Sequence, residues 1–178
     1  MNGKRLSLAA VICLTMLTLW GIAGCSKNNS SSTATDGTMT ATVNGATYSA
    51  KSYVIAGYLS SYGQILIQGD SIRGNDTTQI QIALPYIPPV NTVISTDSLQ
   101  YAGVAGLTYL SPGKTYEGYY GFGGSHAIIT LSTADTVNHR IAGTFSGVLY
   151  SLLVNGNVDS NDSVVITNGT FNSTYQVQ

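Results

Sequence analysis

One segment constrains the fold more than any other, the stretch from residue 38 to residue 51. Every second residue of Thr38–Val43 is apolar and the others are threonine, the pattern of a half-buried β-strand. Asn44-Gly45 follows, and this pair supplies the two positive-φ positions of a type I′ turn, which joins antiparallel strands. The segment therefore predicts a β-hairpin made of Thr38–Val43 and Ala46–Lys51.

Alternating or β-rich segments recur along the chain, and helix signals are almost absent. Further strands are predicted at 53–59, 64–68, 79–84, 92–95, 100–104, 115–120, 126–132, 140–152, 163–167 and 169–175. Such a series, joined by short polar turns, predicts an all-β domain, an antiparallel β-sandwich of about ten strands. A calycin-like closed or half-open β-barrel is the alternative, because both architectures bury one face of each strand.

The charge content excludes several classes of function. Lys and Arg number 7, Asp and Glu number 8, and charged residues make up 8% of the 178 residues. We expect no nucleic-acid partner, because that requires a basic surface. The chain holds two cysteines, Cys13 and Cys25, and two histidines, His126 and His139. We therefore expect no metal site and no cofactor.

The N-terminus has the layout of an export signal. Lys4 and Arg5 precede an apolar stretch, Leu6–Trp20, and the stretch is followed by Ile22-Ala23-Gly24-Cys25. This ending resembles the bacterial lipobox, so residues 1–24 are predicted to be a lipoprotein signal peptide. Cys25 would carry the lipid, including palmitate-type acyl chains, and two or three chains would anchor the protein stably in a membrane. An uncleaved signal anchor and a simple secretory signal are the alternatives.

The rest of the chain divides into a tether and one domain. Residues 25–37 are mostly Ser, Asn, Thr and Ala and predict a flexible tether from the lipidated Cys25. Residues 38–178 predict a single all-β domain. Ser26 is compatible with transfer to the outer membrane, and the first acid after Cys25 is Asp36. We therefore expect an outer-membrane lipoprotein of the cell envelope, on the periplasmic face rather than the surface.

Three segments carry a resemblance to a known family. They are Thr42-Val43-Asn44-Gly45-Ala46-Thr47-Tyr48-Ser49-Ala50, Ile141-Ala142-Gly143-Thr144-Phe145-Ser146 and Val165-Ile166-Thr167-Asn168-Gly169-Thr170-Phe171. The chain resembles small Bacteroidota lipoproteins with a C-terminal all-β domain of unknown function, which show an NG hairpin, a GTF strand and an ITNGxF strand pair. The resemblance implies the fold class and the compartment, and it implies no activity.

A group of aromatic residues is the main candidate for a binding surface. It consists of Tyr101, Tyr109, Tyr116, Tyr119, Tyr120 and Phe122. Tyrosine offers a flat apolar face with a polar tip, which suits a sugar ring or a peptide. The alternative is that these rings pack between strands or cover the end of a sheet. Glu117 lies among them and is the one acid outside a predicted turn.

No segment predicts catalysis. Ser125 and His126 adjoin, but neighbours on a strand point to opposite faces, and no nucleophile-elbow motif surrounds them. The Asn- and Asp-rich stretch 155–162 does not begin an EF-hand calcium loop, which would have Gly in place of Ser160 and Glu in place of Ile166. We therefore expect no catalytic and no metal-binding residues, and a protein that is not an enzyme.

Five of the seven aspartates begin an Asp-Ser/Thr triplet that ends in a small aliphatic residue or threonine. This pattern resembles the acceptor motif for O-glycosylation of exported Bacteroidota proteins. The resemblance implies acceptor hydroxyls at Ser71, Thr77, Ser98, Thr136 and Ser163. The alternative is that Asp-Ser and Asp-Thr are favoured in turns that lead into strands.

These observations predict a lipid-anchored β-domain of the cell envelope, a non-enzymatic binding or structural module. Its partners would be the membrane, through the lipid on Cys25, and an envelope protein or a glycan. The alternative is a small-ligand carrier with a β-barrel cavity. The sequence leaves the specific ligand and the oligomeric state open.

Overall fold

The structure is a computed structural model that describes residues 37–51, 54–59, 63–101, 104–119 and 124–177. The described residues form eleven strands and one short 3-10 helix, Leu99–Tyr101. The strands are β1 Thr38–Val43, β2 Ala46–Lys51, β3 Val54–Leu59, β4 Gln64–Arg73, β5 Asp76–Leu84, β6 Val93–Ser95, β7 Gly106–Ser111, β8 Lys114–Gly118, β9 His126–Asp135, β10 Arg140–Leu152 and β11 Val158–Val177. The predicted signal peptide 1–24, Cys25 and the tether up to residue 36 lie outside the described residues.

The strands form one mostly antiparallel sheet that folds into two layers. The first layer has the strand order β2-β1-β11-β10-β9-β6, and the second has the order β3-β4-β5-β7-β8. The layers face each other, since a Cβ added to Gly69 of β4 would lie 2.9 Å from the sulfur of Met39 on β1. The all-β prediction is confirmed.

Two short strand pairings join the layers. β11 pairs with β3 in parallel through three residue pairs, beginning at Tyr175↔Ala56. β10 pairs with β8 through two, Tyr150↔Glu117 and Ser151↔Tyr116. These joins close a hydrogen-bonded ring of β11, β3, β4, β5, β7, β8 and β10. The molecule thus combines the two predicted alternatives, a two-layer packing with a closed ring.

The space between the layers holds one hydrophobic core. Its largest fully buried side chains are Met39, Ile65, Ile67, Ile80, Ile82, Leu84, Ile94, Leu107, Ile129, Leu131, Ile141 and Leu149. They come from seven strands and from both layers, and on β1 and β5 the alternating apolar residues point inward. Burial of this surface is the main stabilising term for a domain with few ion pairs.

Local backbone geometry explains why the first hairpin was predictable. Asn44 and Gly45 have φ values of 48° and 80°, as a type I′ turn requires. Asn44 also accepts a hydrogen bond on its side-chain oxygen from the backbone N–H of Val165, at 2.8 Å. This contact fixes the hairpin tip against β11.

The structure corrects the prediction in the region between residues 97 and 125. The prediction of a strand at 100–104 is wrong, because residues 99–101 form a 3-10 helix. The Tyr101 carbonyl then accepts hydrogen bonds from the N–H groups of Val104 and Ala105. Residues 106–111 form a strand that was not predicted.

The last strand is also longer than predicted. Residues 163–167 and 169–175 were expected to be two strands, but both belong to β11. Asn168, with φ 51°, is an extra residue in the pairing with both β1 and β10. The Asn168-Gly169 pair therefore marks a β-bulge and not a turn.

Candidate functional site

The predicted aromatic surface is not assembled as one surface in the described part of the chain. Tyr109 and Tyr116 pack against each other with ring centroids 6.1 Å apart, and Tyr116 is 7% exposed. The Tyr116 hydroxyl donates to Oδ1 of Asp162 at 3.2 Å. These two rings lie on the inner side of their strands, so the packing interpretation holds for them.

The other members of the group are separated from this pair. Tyr101 is buried in the 3-10 helix, where desolvation and then the neighbouring Tyr86 raise the pKa of its phenol. Tyr119 follows β8 and remains half-buried. Tyr120 and Phe122 lie outside the described residues.

A different surface, on the outer side of the second layer, has the densest polar chemistry. We call it the polar face and define it by Gln68, Asp70, Gln79, Gln81, Thr108 and Glu117. Strand register places Gln68 opposite Gln81, Gln81 opposite Thr108, and Thr108 opposite Glu117. Because cross-strand partners point to the same side of a sheet, these four side chains form one row across β4, β5, β7 and β8.

Hydrogen bonds order one end of the row. Gln79 and Gln68 each donate from Nε2 to Oδ1 of Asp70, at 2.7 and 3.2 Å. Gln81 donates from Nε2 to Oε1 of Gln79 at 2.5 Å and to Oε1 of Gln68 at 3.2 Å. Donation therefore runs in one direction, from Gln81 through the other two amides to the carboxylate. Each of Gln68 and Gln79 keeps one N–H for another acceptor.

Glu117 closes the other end of the row and is chemically unusual. It is 8% exposed, and its carboxylate makes no hydrogen bond or ion pair with the described part of the chain. Desolvation raises the pKa of Glu117 above its usual value, because burial disfavours the charged form. Buried carboxylates are normally paired, so an unpaired one with a perturbed pKa marks a candidate binding site.

Tyr119 shapes the same end of the polar face. A Cβ added to Gly106 would lie 1.8 Å from the Tyr119 ring, so only glycine allows this ring to lie on β7. The Tyr119 hydroxyl is 3.2 Å from the hydroxyl of Thr108, with which it shares a hydrogen bond. Of the predicted aromatic group, Tyr119 is thus the described member beside Glu117.

Sequence reasoning identified part of this site. Glu117 was singled out as an acid outside turns, and it does lie on a strand, β8. The glutamines of the polar face were not among the predicted site residues. The signal that could have drawn attention to them is Gln79-x-Gln81 next to Gln68-x-Asp70, on consecutive strands of a chain with few charged groups.

The predicted glycosylation sites differ in accessibility. Ser71 is 6% exposed, so it is the most buried of the five predicted sites. Thr77, Thr136 and Ser163 are exposed, and Ser98 is half-buried. Three of the five sites are therefore fully presented by the fold.

Other candidate segments have structural explanations. In the stretch 155–162, Asn155 and Asp159 each accept a hydrogen bond from a backbone N–H two residues later, as in Asx turns. Within the described ranges, no group of three His, Cys, Asp or Glu residues is placed to hold a metal ion. No helix in those ranges is long and apolar enough to cross a membrane.

Comparison with known proteins adds no assignment: no family model, no curated protein and no solved structure matches the chain.

Proposed function

We propose that this protein is a non-enzymatic, lipid-anchored module of the cell envelope that binds neutral glycans through its polar face. One observation carries the proposal: hydrogen-bonded amides and Thr108 lead across the sheet to Glu117, a buried carboxylate that has no partner among the described residues. The polar face offers one further N–H donor on each of Gln68 and Gln79 and a carboxylate acceptor at Glu117. Sugars present hydroxyl groups that both donate and accept, so they match this mixed set.

The ordering of the amides favours binding. A free glutamine loses about 1.5–2 kcal/mol of side-chain entropy when it is fixed. Gln68, Gln79 and Gln81 are already held by their mutual hydrogen bonds, so a ligand would not have to order them. Tyr119 adds an aromatic ring at the Glu117 end, where the apolar face of a sugar could pack.

Charge supports a neutral ligand. The polar face has two carboxylates, Asp70 and Glu117, and no described Lys, Arg or His belongs to it. An acidic glycan would place negative charge beside Glu117 with nothing to compensate it, which costs binding energy. Neutral sugars avoid this penalty and can donate hydroxyl protons to both carboxylates.

Carboxylate spacing argues against glycoside hydrolysis. Asp70 lies on β4 and Glu117 on β8, with β5 and β7 between them. Three strand spacings correspond to about 14 Å, whereas the two carboxyl groups of a glycosidase are roughly 5–9.5 Å apart. Binding without turnover fits this geometry better.

Filling of the interior argues against a small-ligand carrier. The space between the layers holds side chains with 0% exposure, such as Ile67, Ile82 and Leu149. A depression of about 430 Å³ next to Thr144 and Thr170 is a groove on the outer side of the first layer and not an internal cavity. A carrier would be expected to enclose its ligand.

A glycan array tests the proposal. The purified full chain in detergent is applied to arrayed neutral and acidic oligosaccharides, beside a Gln81→Ala variant and an Asn172→Ala control. Gln81 holds the amide row together, whereas Asn172 is an exposed amide on β11 in the first layer. We expect binding to neutral oligosaccharides, about tenfold weaker for Gln81→Ala and unchanged for Asn172→Ala.

Two array results would contradict the proposal. One is that no neutral oligosaccharide binds the wild-type chain. The other is that the two variants bind as well as each other, since the polar face would then have no part in recognition.

A further inference from the structure

A second site lies at the C-terminal end of β4, between the β1–β2 hairpin and strands β4, β5 and β7. It is a cleft of about 120 Å³, and its lining includes Thr47, Ser71, Arg73, Thr78 and Tyr109. Pockets for drug-sized ligands measure roughly 300–1,000 Å³, so this cleft holds one small group and not a whole sugar. Its polar lining is made of hydroxyl groups and one guanidinium.

The guanidinium of Arg73 is largely unused. It donates from one terminal nitrogen to the backbone carbonyl of Thr47. The ion pair found among the described residues joins Lys114 and Asp162 and does not include Arg73. Asp76 is the cross-strand neighbour of Arg73, yet the two side chains form no ion pair. Arg73 thus has no counter-ion among the described residues, and most of its five donors make no hydrogen bond with them.

Ser71 supplies a second, independent feature. It is 6% exposed and lines the cleft, and its hydroxyl makes no hydrogen bond with the described part of the chain. Ser71 and Arg73 lie two residues apart on β4, so their side chains point to the same side. Thr78 pairs with Ser71 across the ladder and donates its hydroxyl to the Ser71 carbonyl at 3.4 Å.

We propose that this cleft binds a carboxylate group. The planar fork of arginine matches the two oxygens of a carboxylate, and a charge-assisted pair of this kind is among the stronger polar contacts. Ser71 would donate its free hydroxyl to one of the same oxygens. One cation neutralises one negative charge, so the cleft suits a carboxylate better than a phosphate dianion. The site is independent of the polar face, to which no described Lys, Arg or His belongs.

Two sources could present such a carboxylate: an acidic sugar or the C-terminus of a peptide. Nuclear magnetic resonance of the full chain in detergent distinguishes them, with the backbone amide signals of Ser71 and Thr78 as reporters. The probes are glucuronate, an N-acetylated dipeptide acid, the same dipeptide as its amide, and inorganic phosphate. We expect shifts with glucuronate, with the dipeptide acid or with both, which names the source, and none with the dipeptide amide.

Three variants separate a binding role from a structural one. Arg73→Gln should weaken carboxylate binding about tenfold, and Ser71→Ala should weaken it by a smaller factor. Arg140→Gln serves as the control, because Arg140 is exposed at the start of β10 and distant in the strand order. Thermal unfolding of each variant shows whether it is folded.

The proposal is overturned by any of three results. The first is that neither carboxylate probe shifts the Ser71 and Thr78 signals. The second is that folded Arg73→Gln and Arg140→Gln bind the carboxylate equally well. The third is that phosphate or the dipeptide amide shifts these signals and the carboxylates do not.

Discussion

At the scale of single residues, Glu117 stands out in the described part of the molecule as a buried carboxylate without a partner there. Burial raises its pKa, and no described cation or donor compensates its charge. At neutral pH such a group lowers the free energy of unfolding, because its charge is buried without a partner. Binding sites commonly hold groups of this kind, because a ligand supplies the missing partner.

This reasoning predicts how stability depends on pH. Because the native pKa of Glu117 lies above its usual value of 4.5, the native state holds this proton more tightly than the unfolded chain. Its contribution to stability is fully present below 4.5 and is lost as the pH rises through the raised pKa. Glu117→Gln removes the charge and should be more stable than wild type at pH 7, with the difference vanishing near pH 4.

Urea unfolding at the two pH values checks this prediction. The midpoint of Glu117→Gln should exceed that of wild type at pH 7 and coincide with it at pH 4. A variant that is less stable than wild type at pH 7 would show that the Glu117 carboxylate has a stabilising partner.

At the scale of elements, the join between β8 and β10 is the weakest part of the ring. Two residue pairs form it, and Asp162 of β11 reinforces it from the side. Nζ of Lys114 donates to Oδ2 of Asp162 at 2.8 Å, and the Tyr116 hydroxyl donates to Oδ1. The hydrogen bond from Lys114 is the main reason that the pKa of Asp162 lies below its usual value.

Asp162→Ala should therefore loosen this join more than the rest of the sheet. We expect faster amide hydrogen exchange at the joining residues of β8 and β10, and unchanged exchange in the β4–β5 pair. Asp159→Ala is the matched control, because Asp159 also lies in β11 but accepts its hydrogen bond from Asn161. Equal exchange in the two variants would mean that the Asp162 contacts do not hold the join.

Elements also show how far the sequence could predict the structure. The bounds of β1, β2 and β10 were predicted correctly. For β1 and β2, the alternation of threonine with apolar residues and the Asn-Gly turn leave little freedom. The strand β7 was missed, since its glycine and tyrosine residues do not alternate in polarity. Two strands, 163–167 and 169–175, were predicted where the structure has one, and a bulge at Asn168, with φ 51°, lies between the two segments.

The candidate site was harder to predict than the strands for a physical reason. Alternation shows which residues of one strand share a face, but it does not show which strands become neighbours. β5 pairs with β7, while β6 crosses to the other layer and pairs with β9. Gln81 lies opposite Thr108 only because β7 is the neighbour of β5. The row that ends at Glu117 therefore depends on this strand order.

At the scale of the whole molecule, the proposed function combines a membrane anchor with a recognition surface. The anchor is inferred from the lipobox-like segment that ends at Cys25. Growth with an alkyne analogue of palmitate should label the wild-type chain and a Cys13→Ser variant, but not Cys25→Ser. Cys13→Ser is the control because Cys13 lies inside the predicted signal peptide. Labelling of Cys25→Ser would contradict the lipoprotein assignment.

The central claim is that the Glu117 carboxylate accepts hydrogen bonds from the hydroxyl groups of a neutral glycan. Glu117 is the single glutamate of the chain, so a ¹³C label on the glutamate carboxyl carbon gives one signal for pH titration. Titration with and without the neutral oligosaccharide that binds most strongly on the array measures the pKa of Glu117 in both states. We predict a pKa above 4.5 in the free protein and a lower one in the complex, because donated hydroxyls stabilise the ionised form. Identical titration curves in the two states would contradict the account.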